Sequence, residues 1–112
     1  MRVSIARALI TNPDLLLLDE PFAALDEGTR EDLQNQLMSL CARRQGATVL
    51  VTHNLVEAAL LADTIHLLAG KPASLIQSWS VNFNKSVGTD LLCQDDFTAF
   101  VTQLRREFKE LI

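Results

Sequence analysis

The chain has 112 residues, of which 48% are hydrophobic, a size and composition that suit one small folded domain and exclude extensive disorder. The net charge of −4 argues against a large nucleic-acid surface, although it leaves room for a local basic patch, so we expect no nucleic acid partner. The two cysteines, Cys41 and Cys93, match no metal-binding or redox spacing and are expected to act as small apolar side chains. No apolar run approaches the roughly 20 residues that span a bilayer.

The first predicted element is a helix over residues 2–10. Its apolar residues recur at helical spacing and form one stripe: Val3, Ala6, Leu9 and Ile10. The stretch Thr11–Asp14, which contains a proline, predicts a turn that ends this helix and leads into the next element.

Four consecutive leucines, Leu15–Leu18, predict a strand that is buried on both faces, because a run without alternation offers no polar face. Asp19 and Glu20 follow at once, and Pro21 ends the regular structure. A strand that ends in acids brings them to the carboxyl edge of a sheet, where open α/β sheets bind their ligands. The alternative, from these residues alone, is a core strand followed by a polar turn.

A second strand is predicted after one intervening helix. Residues 22–26 predict a loop, and Thr29 is expected to cap the helix that follows. The predicted buried face of this helix consists of Leu33, Leu37, Leu40 and Cys41. Gly46 is expected to end the helix in a left-handed conformation. The β-branched stretch Ala47–Thr52 then predicts a second buried strand, and one helix between two such strands predicts a right-handed βαβ unit.

Polar residues follow both predicted strands. Asp19 and Glu20 follow the first strand, and His53 follows the second. Because the carboxyl ends of parallel strands meet at one edge, these three side chains are predicted to cluster there. A carboxylate for Mg²⁺, a carboxylate that polarises water and an imidazole near a phosphate form a set suited to phosphate hydrolysis.

The rest of the chain predicts a hairpin between two helices. Asn54 is expected to cap a short helix that ends near Ala62, with Glu57 as its reciprocal partner. Strands over 64–69 and 73–83 predict an antiparallel hairpin. Its second strand is expected to carry one apolar face, formed by Leu75, Trp79, Val81 and Phe83. Residues 84–90 predict a loop. The region 89–112 is expected to hold an amphipathic helix from Asp95 onward, with an apolar stripe of Phe97, Phe100, Val101, Leu104, Phe108 and Leu111.

Four stretches resemble motifs of ATP-binding cassette (ABC) ATPases, in the order of that family. Residues 2–9 are similar to the helix that follows the family signature. Leu15–Asp19 followed by Glu20 resembles the Walker B strand, Pro21–Asp26 is similar to the D-loop, and Thr52–His53 resembles the switch-histidine (H-loop) segment. The resemblance spans roughly residues 2–70, and Glu57–Asp63 is also similar to the importers of the nitrate, sulfonate and taurine group.

The resemblance implies a role for each matching residue. Asp19 would hold Mg²⁺ through water, and Glu20 would be the general base for the attacking water. His53 would contact the γ-phosphate of ATP, as both a catalytic and a nucleotide-binding residue. Leu25 and Asp26 would line the contact with a second cassette in a homodimer. The plainer alternatives are a surface acid at Glu20 and an ordinary helix-start histidine at His53.

The chain departs from the family pattern in one respect that bears on activity. It contains no Gly-x-x-x-x-Gly-Lys-Ser/Thr loop, the element that holds nucleotide phosphates in P-loop ATPases, and no signature or glutamine loop. Residues 1–112 are therefore expected to be the C-terminal portion of one ABC ATPase domain that is inactive alone. The predicted fold class is α/β, a partial P-loop NTPase fold. It consists of parallel strands with covering helices, then a small antiparallel hairpin and a C-terminal helix.

The function that the resemblance implies is ATP hydrolysis in a bacterial ABC importer of small anions or organic solutes such as nitrate, sulfonate or taurine. The subunit would bind a membrane permease and lie peripherally on the cytoplasmic face of the membrane. Two alternatives remain: a soluble ABC-type ATPase of DNA repair or chromosome organisation, and a non-enzymatic truncated remnant. The transported substrate is not predicted, because in such systems it is chosen outside the ATPase.

Overall fold

A computed structural model of the chain describes residues 7, 10, 11 and 13–112. The chain divides into two compact units, Met1–His53 and Asn54–Ile112, and each has its own fold. The helix predicted over residues 2–10 lies outside the described residues except at Arg7 and Ile10, which have helical backbone. Ile10, one member of the predicted apolar stripe, is exposed, and the other members lie outside the described residues.

The first unit is a strand–helix–strand unit. Strands β1 (Leu15–Asp19) and β2 (Ala47–Val51) pair in parallel, with Leu15 opposite Ala47 and Asp19 opposite Val51. Helix α1 (Glu27–Arg43) connects them. The predicted pair of parallel strands joined by one helix is therefore confirmed, and the carboxyl ends of both strands lie at one edge.

The two strands are not buried on both faces, contrary to prediction. Leu16 and Leu18 are buried, whereas Leu15 and Leu17 are 59% and 64% exposed. On β2, Val49 and Val51 are exposed as well. Successive side chains of a strand point to opposite faces, and only one face is covered in the part of the chain that the structure describes. The leucine run therefore alternates in burial although it does not alternate in sequence.

Helix α1 begins one turn earlier than predicted. Asp26, not Thr29, is its N-cap: an Asp26 carboxylate oxygen (Oδ2) accepts a hydrogen bond from the Thr29 amide at 3.3 Å. Aspartate is among the strongest capping residues, which explains why Glu27 and Gly28 join the first turn. The buried residues of the helix are Leu33, Gln34, Leu37 and Met38, so the predicted face is confirmed at the two leucines, while Leu40 and Cys41 are half-buried.

The segment that follows α1 lies close to the backbone that precedes β1. Gly46 is not in the left-handed region, so its predicted conformation is wrong. A Cβ at this position would lie 2.6 Å from the Asp14 carbonyl oxygen and 2.8 Å from that of Pro13, which leaves room only for glycine. The Arg44 guanidinium joins the same two segments, because it donates to the Pro13 carbonyl at 2.5 Å and to the Ala47 carbonyl at 2.7 Å. These contacts hold the amino ends of β1 and β2 together.

The second unit contains a short helix, a hairpin and a long helix. Its elements are α2 (Leu55–Leu61), β3 (Thr64–Ala69), β4 (Ser74–Ser80) and α3 (Asp95–Leu111). The strands pair antiparallel, with Thr64 opposite Ser80, so the predicted hairpin is confirmed. Asn54 caps α2 by accepting from the Glu57 amide at 3.1 Å, which confirms the predicted cap. No helix in the described residues is long and apolar enough to cross a membrane.

A register shift in the hairpin corrects the predicted apolar face of β4. Trp79 lies opposite Ile65, but Leu75 lies opposite Leu68 because the register shifts between Leu67 and Leu68. Ile65 and Leu68 are three residues apart and therefore point to opposite faces of β3. Leu75 consequently shares the exposed face with Leu68 and not the face of Trp79. A bulge of this kind carries no signal in an alternating sequence pattern.

Residues 84–90 are not the irregular loop that the sequence predicts. Lys85–Cys93 forms 3₁₀-helical turns, interrupted at Gly88, where φ is 64°. Asn84 caps these turns by accepting from the Ser86 amide at 3.1 Å. The Lys85 ammonium donates to the last carbonyls of α2, those of Ala59 and Leu60, at 2.9 and 3.0 Å. Burial lowers the pKa of Lys85.

The core of the second unit lies under α3. The helix begins at Asp95, as predicted, and its buried residues are Phe97, Val101 and Leu104. The Phe83 ring packs edge-on against Phe97, with ring centroids 5.3 Å apart. The Trp79 indole donates to the Glu107 carboxylate at 2.7 Å, which fastens β4 to the helix.

Candidate active site

The carboxyl ends of β1 and β2 lie side by side, as predicted. The Glu20 amide donates to the Val51 carbonyl at 2.8 Å and so extends the pairing of the strands by one residue. This brings Glu20, which follows β1, next to His53, which follows β2. The His53 Nε2 atom lies 3.5 Å from the Glu20 Oε1 atom.

The two partners of this contact differ in their exposure. The His53 side chain is 97% exposed and the Glu20 side chain 34%. Glu20 Oε1 is itself buried and, among the described residues, accepts no hydrogen bond. A buried carboxylate oxygen is stabilised when a donor approaches it, and the His53 Nε2 atom lies 3.5 Å away. The arrangement presents an acceptor oxygen beside an accessible imidazole.

The backbone at Glu20 is unusual. Its φ is 49°, in the left-handed region that non-glycine residues rarely adopt. Ala24, in the loop that follows, has a φ of 67°. Left-handed backbone at a non-glycine residue costs about 1–3 kcal/mol, and residues of this kind cluster at active sites, where the surrounding structure fixes them. The buried Pro21 and Phe22, the latter 1% exposed, anchor the chain immediately after Glu20.

Asp19 is the last residue of β1 and is exposed at the same edge. Within the described residues, no group of three or more His, Cys, Asp or Glu side chains is arranged to hold a metal. The side chains that the structure describes therefore do not form a metal centre by themselves. Mg²⁺, however, is commonly bound through one or two carboxylates together with water and substrate phosphates, and a single exposed carboxylate beside Glu20 fits that mode.

The loop after Glu20 contains Leu25 and Asp26, the residues expected to line a contact with a second cassette. The carboxylate of Asp26 is engaged by Thr29, whose hydroxyl and amide lower the pKa of Asp26. The guanidinium of Arg30 donates to the Leu25 carbonyl at 2.9 Å. The sequence motifs did not indicate Arg30, because nothing in a helical pattern reveals that a side chain reaches back past the start of its own helix.

Comparison with known proteins bears on the class of protein to which this site is similar, the ABC ATPases. The chain is similar to parts of ATP-binding subunits of ABC importers, which confirms the resemblance predicted from the sequence. No family model matches the chain.

Three relatives illustrate the similarity. The chain is 56% identical over 75 residues to the bicarbonate transport ATP-binding protein CmpC of Synechocystis sp., a match that covers 67% of the chain and 11% of that protein. It is 48% identical over 89 residues to the aliphatic sulfonates import ATP-binding protein SsuB of Mycobacterium sp., covering 80% of the chain and 36% of that protein. It is 44% identical over 84 residues to the taurine import ATP-binding protein TauB of Yersinia pestis, covering 75% and 33%. The matches thus span about a tenth to a third of each relative's length.

Proposed function

We propose that this chain is part of the ATP-hydrolysing subunit of an ABC importer, with the P-loop NTPase fold. The observation that carries the proposal is the contact between Glu20 and His53, 3.5 Å apart at the shared carboxyl edge of two parallel strands. Open α/β sheets bind their ligands at this edge. The names of the relatives, ATP-binding proteins of transport and import systems, support the same assignment.

Each residue at the edge has a chemical role in the proposal. Glu20 orients the attacking water and accepts its proton, since its carboxylate lies at the carboxyl edge of the strands, beside His53. The exposed imidazole of His53 donates toward the γ-phosphate as negative charge develops on it. Asp19 would hold Mg²⁺ through water, and the bound ion would offset the charge of the phosphates.

We further propose that these 112 residues by themselves do not hydrolyse ATP. Asp19 can supply only part of a magnesium shell, and Glu20 can activate water only if a phosphate is held in line with it. The chain offers no glycine-rich loop with a lysine to hold that phosphate. In the complete subunit, another segment would supply this loop.

The proposed transport role is supported by the names of the relatives, which include bicarbonate, nitrate, sulfonates and taurine. The proposed cargo is accordingly a small anion or organic solute of this kind. The proposed partners are a membrane permease and a second copy of the cassette, contacted through the loop that holds Leu25 and Asp26. The subunit would act on the cytoplasmic face of the membrane as a peripheral protein.

The test is Glu20→Gln in the complete subunit that carries this chain. The substitution keeps shape and hydrogen bonding but removes the base, so the rate of ATP hydrolysis should fall by about 10²–10⁴ while ATP still binds. Glu27→Gln is the matched control, because Glu27 is an exposed acid in the first turn of α1. Wild-type turnover in the Glu20 variant, or equal losses in both variants, would contradict the proposal.

A further inference from the structure

The loop between Glu20 and α1 is held by a side chain that belongs to none of the motifs. Arg30 is the fourth residue of α1 and completes its first turn, and its Nη2 atom donates to the Leu25 carbonyl, five residues back, at 2.9 Å. The contact is partly buried. Arg30 therefore reaches past the N-cap Asp26 and into the loop.

Side chains of a helix lean toward its amino end, so the direction of the Arg30 side chain is the usual one. Its position is less usual, because the start of a helix carries a partial positive charge that disfavours a guanidinium there. Arg43, in the last turn of the same helix, also reaches back, but its acceptor, the Ser39 carbonyl at 3.3 Å, lies within the helix. Asp26 already caps the first turn. The Arg30 contact thus serves the loop and not the helix.

A series of backbone hydrogen bonds connects this contact to Glu20. The Leu25 amide donates to the Phe22 carbonyl at 3.4 Å, and the Ala23 amide donates to the Glu20 carbonyl at 3.3 Å. Both bonds are long, and Ala24 between them has left-handed backbone. Two further restraints on the loop come from outside these bonds. Phe22, which is buried, supplies one near Glu20, and Arg30 supplies the other at Leu25.

We infer that Arg30 is a positioning residue for the site: by holding the Leu25 carbonyl, it fixes the 21–26 loop and, through it, the placement of Glu20. The inference rests on the proposed function, in which Glu20 is the base and Leu25 meets a second cassette. Arg30 touches no reacting atom. A base displaced by about 1 Å can lose as much as 10²-fold in rate without any change in how the substrate is bound.

The test compares Arg30→Met, which keeps length but cannot donate, with Arg43→Met, which removes another arginine–carbonyl contact from the same helix. In the 112-residue chain, hydrogen exchange of the Ala23 and Leu25 amides should be about tenfold faster in the Arg30 variant and unchanged in the Arg43 variant. In the complete subunit, kcat should fall about tenfold while KM for ATP stays within about twofold. Arg30→Lys, which keeps a charged donor, should recover part of both losses.

Unchanged amide exchange in Arg30→Met, or equal effects of the Arg30 and Arg43 variants, would overturn the inference. A rise in KM that matches the fall in kcat would also overturn it, since that pattern indicates general loss of structure. If Arg30→Met fails to fold, Arg30→Leu, which also cannot donate, replaces it with the same expected and contradicting results. Wild-type hydrolysis by Glu20→Gln would refute the proposed function alone, because the exchange measurement tests the hold of Arg30 on the loop without reference to catalysis.

Discussion

The two units of the chain pair their strands differently but leave a similar apolar face exposed. In the first unit, the exposed face of the parallel pair is formed by Leu15, Leu17, Val49 and Val51. In the second unit, Ile65 of the antiparallel pair is buried, whereas Leu68 and Leu75 are 63% and 59% exposed. An exposed face is common in antiparallel sheets, whereas parallel sheets are almost always covered on both faces, so within the described residues the first unit has the less usual arrangement. The candidate active site lies in the unit with the parallel pair.

The largest effect on stability is expected at Leu16, on the covered face of β1. Leu16→Ala removes a buried side chain from β1 and should lower the free energy of unfolding by about 2–5 kcal/mol. Its neighbour Leu17 is the matched control, because it is 64% exposed on the other face of the same strand, and Leu17→Ala should change stability by about 0.5 kcal/mol or less. Urea denaturation of the two variants measures the difference. Equal losses would mean that both faces of β1 are covered.

A smaller effect is expected at Asp26, where the first unit depends on a polar contact. Asp26→Ala removes the cap of α1 and should lower the melting temperature. Asp26→Asn should keep most of the stabilisation, because asparagine also caps helices well. The pKa of Asp26 is lowered in the fold, because Thr29 donates to the carboxylate. The charge of Asp26 therefore stabilises the fold at pH values above its ordinary pKa of 3.8. This stabilisation is lost as the pH falls through the lower pKa of the folded state.

Thermal unfolding of wild type and Asp26→Ala at about pH 7 and about pH 2 measures this contribution. The gap between the two melting temperatures should be wider at neutral pH than in acid. A gap that stays constant, or widens in acid, would indicate that the Asp26 carboxylate does not stabilise the helix through its charge.

Most of what positions the site could be predicted from the sequence, because local signals are strong there. The leucine run, the acids at its end and the stop at Pro21 indicate a strand that ends in carboxylates, and the β-branched stretch before His53 indicates its partner. Parallel pairing then follows from the single helix between the strands, and it brings Glu20 and His53 together.

The features that could not be predicted depend on contacts between distant residues or on competition between neighbours. The burial of Leu16 and exposure of Leu17 depend on which face of the sheet is covered, and four identical residues carry no information about that. Asp26 and Thr29 are both capping residues, and the pattern alone does not rank them. The hold of Arg30 on the Leu25 carbonyl depends on the path of the loop, which no periodic pattern specifies.

The most direct test of the central claim, that Glu20 and His53 form one hydrolytic site, is a double-variant cycle measured by ATP turnover in the complete subunit. His53→Ala alone should slow turnover by about 10², the cost of losing one donor to the developing charge. Residues that act as one unit are strongly non-additive, so adding His53→Ala to Glu20→Gln should slow the reaction by well under tenfold more. If His53→Ala instead slowed the Glu20→Gln enzyme by the same factor as the wild type, the two residues would act independently and the claim of a single site would be wrong.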